Sequence, residues 1–127
     1  MFLGVLGSPT PSRQDSFQDT TCYGWFSHGY AYIKGQPHNQ NDGFSGFSSG
    51  DRVVLSLDCS QQGNTNTATT TALTAAVSRG GARVGGRKCV LQLDSATPAW
   101  YLHVFLYNQG SRVVICEPTA DDLRMLL

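Results

Sequence analysis

The sequence predicts an all-β chain folded as an antiparallel β-sandwich, and three observations carry that prediction. Short apolar or aromatic runs recur along the chain, separated by clusters of Gly, Pro, Asn, Asp and Ser. Polar positions are filled by Ser, Thr, Gly, Asn and Gln, which suit strands and turns. Residues that build the exposed faces of helices are scarce: Glu117 is the only glutamate, and Lys34 and Lys88 the only lysines. A helical bundle is therefore excluded. The 127 residues amount to one domain with no repeat of fixed period, and a hydrophobic content of 40% supplies one modest core.

In chain order, Phe2 to Leu6 is a short apolar strand, followed by a polar, Pro-broken loop from Ser8 to Ser16. Cys22 to Phe26 and Tyr30 to Ile33 are aromatic-rich strands joined by Ser27-His28-Gly29, a hairpin signal. Gly35 to Gly50 reads as a long loop with Phe44 and Phe47 as anchors. Arg52 to Cys59 alternates except at Val54, as expected for a strand with one well-buried face. After a polar spacer from Gln61 to Thr67, Thr69 to Val77 is compatible with a strand or a short helix, and its β-branched threonines favour the strand. Gly80 to Lys88 is a Gly/Arg-rich loop. Cys89 to Leu93 is a strand with Cys89, Leu91 and Leu93 on one face. Trp100 to Tyr107 and Ser111 to Cys116 flank Asn108-Gln109-Gly110 and read as a last hairpin. The sandwich is thus expected over residues 1–116, with 117–127 as a C-terminal tail or short helix.

Composition also narrows the function. Nine basic and nine acidic residues give a net charge of zero, and the arginines are scattered, so nucleic acid is not an expected partner. The N-terminal apolar run has no basic residues before it and stops at Ser8-Pro9, too short for a signal core or a membrane span, so no membrane association is expected. Cys22, Cys59, Cys89 and Cys116 stand apart, with no CxxC or CxxH pair that would suggest zinc. Their even number would permit disulfides, but strand-like surroundings favour free thiols packed in or near the core, and hence a reducing, cytoplasmic setting. Catalytic constellations fail. His28, His38 and His103 lack ligand-like spacing, Cys22 with His28 lacks an orienting Asn or Asp, Asp51 and Asp58 suit structural roles, and Gly80-Gly81 and Gly85-Gly86 lead into no phosphate-binding helix. The expectation is a protein that is not an enzyme and needs no cofactor or metal.

Four motifs in order then resemble the SPRY family of β-sandwich domains. They are Gly4-Val5 closing the first strand, Cys22-Tyr23-Gly24-Trp25 followed by an aromatic strand and Gly35, Gly50-Asp51-Arg52-Val53 leading into Leu57-Asp58, and Pro98-Ala99-Trp100-Tyr101-Leu102-His103-Val104 running through Leu106-Tyr107-Asn108 to Gly110-Ser111-Arg112-Val113. The resemblance spans residues 2–116 and implies a concanavalin A-like jelly roll, similar to the domains of ubiquitin-ligase and TRIM-type proteins. Leu57, Leu91, Leu93, Val104, Leu106, Val113 and Ile115 are the expected inward-facing set. Two features depart from the family. Its strands ahead of Gly4-Val5 have no counterpart here, so the expectation is a short or N-terminally truncated member, or else one whose outer strands come from elsewhere, leaving an exposed edge. Ser78-Arg79-Gly80-Gly81 also stands where the family often carries a Leu-x-Phe-x-x-Asn-Gly hairpin.

The resemblance implies a non-catalytic module that binds a peptide or protein surface through loops at one end of the sandwich, as an adaptor or substrate-recognition part of a larger assembly. Carried over by position, those loops are Ser8 to Asp19 and Tyr107 to Ser111, with Arg13, Asp15, Phe17, Tyr107 and Asn108 as candidate partner-binding residues. No RING, B-box or SOCS-box segment is present in these residues, so any ligase activity would require other chains or missing sequence. Ligand specificity does not carry over, because only Gly110 matches the family's peptide-gripping residues. The alternative is a lectin-like carbohydrate binder, with Trp25 or Trp100 stacking on a sugar and Asn39, Asn41 and Asp42 as polar or Ca²⁺ ligands.

Overall fold

A computed structural model describes residues 1–38, 46–61, 69–84, 89–94 and 96–127, with the side chains of 60, 61, 69 and 70 outside the description. The chain is an all-β sandwich of two antiparallel sheets. The first sheet has the order β4-β3-β2-β1-β9, from Gln36–His38, Ala31–Ile33, Cys22–Phe26, Phe2–Leu6 and Tyr101–Phe105. In the second, β6 (Thr69–Arg79) lies between β5 (Arg52–Gln61) and β8 (Cys89–Leu93), and β7 (Ala82–Arg83) pairs with its end.

β1 pairs with β2 on one side and β9 on the other, so this interior strand is covered on both faces and every residue of its Phe-Leu-Gly-Val-Leu run is buried. Leu3 and Val5 face the second sheet, where Val5 joins Tyr23, Trp25, Leu73, Ala75 and Leu91 in the main core. Bulky aromatics on β2 are matched by small side chains: Ala31 and Ala75 are fully buried beside Trp25 and Tyr23. Phe2 and Leu6 point the other way and build a second core with Cys22 and Phe26. Gly4 and Gly24 are partners in the β1–β2 register. A Cβ on Gly4 would collide with the Tyr23 carbonyl and the Gly24 backbone, and one on Gly24 would strike the Phe2 ring. The two glycines let rings of the second core lie directly on the sheet.

The expected strands at Phe2, Cys22, Arg52, Thr69 and Cys89 are all present, and Leu91 and Leu93 face the core. Four expectations need correction. Gly35 to Gly50 is not wholly loop: Lys34 and Gly35, both at positive φ, turn the chain tightly into β4. Its Pro37 is tolerated because β4 is an edge strand. Phe47 is buried as anticipated, whereas Phe44 lies outside the described residues, with Asn39, Asn41 and Asp42. The Gln61–Thr67 spacer beyond its first residue and Gly85-Gly86 lie outside them as well.

The second correction concerns the last hairpin. Ser111 N–H donates to the Asn108 carbonyl at 3.1 Å and Gly110 sits at φ +85°, so the turn forms. Yet 111–116 does not return beside β9 and is not a strand. It crosses toward the other sheet, bringing the Cys116 thiol within hydrogen-bonding reach of Arg52 at the start of β5. Third, the inward set is smaller than expected. Val104 is half-buried, but Leu57, Leu106, Val113 and Ile115 are exposed. Leu57 shares a face with buried Leu73, its register partner, but β5 is the terminal strand and nothing covers its far half among the described residues. Fourth, only Cys22 and Cys89 are core residues; Cys59 and Cys116 are exposed on that same open side or its margin.

The tail ends in α1 (Ala120–Arg124). Thr119 caps it: its hydroxyl accepts from Asp122 N–H, and the Asp122 carboxylate accepts from Thr119 N–H at 2.7 Å. The same carboxylate ties the helix to β5 through Arg52.

Candidate interaction surface

Where the sheets end in β5 and β9, the sandwich stands open along a groove of about 1030 Å³. Its floor is Leu3 and Phe47, and its walls are Val53 and Leu55 of β5 and Leu102 and Val104 of β9. The chain from Tyr107 to Cys116 runs along its rim. Apolar side chains there are open to solvent, Val114 and Ile115 by three-quarters of their surface and Leu102 by 56%. Asn108, Gln109, Arg52 and Asp122 supply the polar border. An apolar patch rimmed by polar groups is the usual mark of a surface that meets another macromolecule.

Adjoining it, the outer face of the first sheet carries linked aromatic rings. Phe17, from the 3-10 turn Ser16–Gln18, packs edge-on against Phe26, Tyr32 and Phe105 with centroids 4.8, 5.2 and 5.1 Å away. At the margin His28 stacks flat on Phe26 at 5.2 Å, and Tyr30 meets His28 edge-on. Tyr107 lies 6.1 Å from both Phe26 and Phe105, so it belongs to this cluster and to the groove at once.

Of the five candidate residues, the structure therefore brings Phe17 and Tyr107 into one aromatic cluster and puts Tyr107 and Asn108 on the groove. Phe17 is half-buried, acting as the plug that seats its loop. Arg13 and Asp15 are exposed on the β1–β2 loop and do not line the groove.

That loop is held by residues the sequence reading did not single out. Buried Asp19 accepts from Ser12 N–H and Oγ–H at 2.8 and 2.7 Å, and from Thr21 N–H and Oγ–H at 2.9 and 2.7 Å. Burial alone would raise its pKa, but these four donors outweigh it and hold the carboxyl well below the usual carboxylate range. The available signal was local: an Asp two residues before a Thr, able to fold back on the backbone. Ser16 Oγ lies 2.8 Å from His103 Nε2 on β9, a second tie between loop and sheet. Burial lowers the His103 pKa, partly opposed by the nearby Asp19 charge. Ser16 is 5% exposed and neither partner lines the groove, so the contact fastens the loop rather than presenting a nucleophile.

At the β5 entrance Asp51 accepts from Ser48 N–H and pairs with Arg79 through two 2.8 Å bonds, while Gly50 takes φ +87°. Hydrogen bonding to Arg79 lowers the Asp51 pKa despite its desolvation. The Cys22 thiol is pushed up to about 12 by burial, with the Asp19 charge adding to it, and is no nucleophile. Trp25 is 2% exposed, and Trp100 packs edge-on against Tyr23 at 5.5 Å. Among the described residues, no three His, Cys, Asp or Glu side chains cluster as a metal site, and no helix is long and apolar enough to cross a membrane. Compared with protein-family models, curated proteins and solved structures, the chain matches none.

Proposed function

We propose that this chain is a SPRY-like, non-catalytic interaction module that binds a peptide or protein surface at the groove between β5 and β9. Its role is that of an adaptor or substrate-recognition part of a larger assembly in a reducing, cytoplasmic compartment. One observation carries the reading: Leu102, Tyr107, Val114 and Ile115 form an exposed apolar border around a groove whose floor is already apolar. Leaving that surface in water is unfavourable by about 25 cal/mol per Å², and a partner removes it. The ordered motifs from Gly4-Val5 to Ser111-Arg112-Val113 support the family assignment. Buried Trp25 weighs against the carbohydrate alternative, since a ring inside the core has no face to offer a sugar.

Selection of a random peptide library on the immobilised chain tests the reading. Peptides that bind the native chain and lose affinity at least about tenfold for Leu102→Asp and Tyr107→Ala are expected, given that buried aromatic and aliphatic anchors dominate such interfaces. Failure to enrich any peptide, or binders indifferent to both changes, would overturn it. A glycan array with and without Ca²⁺ is the parallel arm, and a specific glycan signal would favour the alternative.

A further inference from the structure

β5 is a ten-residue strand at the end of its sheet, and the edge it turns away from β6 has no strand partner among the described residues. Outer edges of this kind are normally guarded by proline, lysine or a bulge. β4, at the end of the other sheet, carries Pro37. β5 carries no Pro, Gly or Lys, and its register with β6 runs unbroken from Arg52 to Gln61. Its edge is open to another strand.

The sequence of β5 is complementary to itself. Let the run Arg52-Val53-Val54-Leu55-Ser56-Leu57-Asp58 lie antiparallel to a second copy of itself, with Leu55 opposite Leu55. Val53 of each copy then stands opposite Leu57 of the other, and Arg52 opposite Asp58, once at either end. Val53, Leu55 and Leu57 share the inward face, because their register partners on β6 are the buried Val77, Ala75 and Leu73. Leu57, 42% exposed, thereby gains an apolar neighbour that its own sheet does not supply. Sliding the register by one pair either way sets Asp58 opposite Val54 or Gly50 and leaves the charges unmatched.

The charges are free to meet. Asp58 is exposed and makes no hydrogen bond or ion pair among the described residues. Arg52 bonds Asp122 through Nε and Nη2, yet its side chain stays 47% exposed and can reach a second carboxylate. An exposed ion pair adds little affinity, but it fixes register and penalises slipped pairings. Main-chain bonds and the inward Val and Leu side chains supply the affinity.

We infer that the chain forms a two-fold symmetric dimer in which the β5 strands of two copies pair antiparallel about Leu55, joining their second sheets edge to edge. The dimer goes beyond the peptide-binding reading and does not rest on it, though Val53 and Leu55 also wall the groove.

Sedimentation equilibrium over a rising concentration series tests it. The native chain is expected to move from 13.7 kDa toward twice that mass. Asp58→Arg sets like charges opposite at both ends of the pairing and is expected to weaken association at least about tenfold. The position is exposed, so the melt of the dilute variant should match that of the parent. Register is read separately, in a background carrying C59S and C116S. There V54C and S56C stand opposite one another only between copies, on the outward face. Mild oxidation of a mixture of the two variants is expected to link them at least about tenfold faster than either links to itself. A chain that stays monomeric, a dimer indifferent to Asp58→Arg, or equal rates of linkage would each overturn this pairing.

Discussion

Arg52 and Asp122 join the beginning of β5 to the C-terminal helix through a two-pronged ion pair, Nε to Oδ1 at 3.1 Å and Nη2 to Oδ2 at 2.6 Å. Asp122 also closes the capping box with Thr119, so one carboxylate fixes both the start of α1 and its place on the sandwich. Hydrogen bonding to Arg52, then to Thr119, holds it ionised well below the usual carboxylate range despite its desolvation. The Arg52 pKa is raised in turn, chiefly by Asp122.

Arg52→Gln removes the pair and spares the cap, whereas Asp122→Ala removes both. Thermal melts should show both variants less stable, with Asp122→Ala lower, and limited proteolysis should release the C-terminal residues from Asp122→Ala first. A melt of Asp122→Ala unchanged from the parent would refute the anchoring role.

Core and groove should answer mutation differently. Leu91→Ala, at a side chain 1% exposed, leaves a cavity in the main core and is expected to cost about 2–5 kcal/mol by denaturant titration. Leu102→Asp, at a side chain already half in water, should stay within about 0.5 kcal/mol of the parent. Comparable losses at both positions would mean that β9 is more deeply covered than its exposure indicates.

Asp19→Ala withdraws the acceptor from four donors at the base of the β1–β2 loop. With the Ser12 and Thr21 donors left to find water, a loss of about 1–3 kcal/mol is expected. Hydrogen exchange should rise over residues 8–21 rather than over β6. Protection unchanged in that loop would show that Phe17 alone seats it.

His103 gives stability a pH dependence. Its folded pKa lies below the ordinary 6.5, so the unfolded chain takes up the proton first. The contribution is complete above 6.5 and is lost as pH falls through the folded value. Melting temperature should therefore drop between pH 7.5 and pH 5.5, and His103→Gln, which keeps a partner for Ser16, should flatten that slope. Asp19 acts in the same direction at lower pH, beginning only below its ordinary 3.8. An equal slope in His103→Gln would remove His103 as the cause.

The sheet framework was legible because its strands announce themselves locally. β8 alternates as Cys89, Leu91 and Leu93 against Val90 and Gln92, and β1 is a continuous apolar run, as an interior strand covered on both faces must be. β4 was not legible, since Gln36-Pro37-His38 has neither alternation nor β-branching and pairs only because the Lys34-Gly35 turn aims it back. Ser111–Cys116 shows the opposite failure: its β-branched run has strand propensity but forms no strand, because pairing depends on which sheet the chain reaches after Gly110, and that is a tertiary matter. At the site, Tyr107 and Phe17 could be named from their loops. The Asp19 and Ser16–His103 ties could not, because Ser16 and His103 are 87 residues apart in sequence and meet only in the folded chain.

The unequal burial of the four thiols equips the protein with its own unfolding clock. Cys59 and Cys116 should react with a maleimide at the rate of exposed thiols. Cys22, its thiol pushed up to about 12 in the second core under Phe17, can be alkylated only when the β1–β2 loop lifts, and Cys89 in the main core only when the layers part. Mass spectrometry of a labelling time course should then show two additions early and two late, the Cys22 addition timing the loop and the Cys89 addition timing how often the sandwich opens.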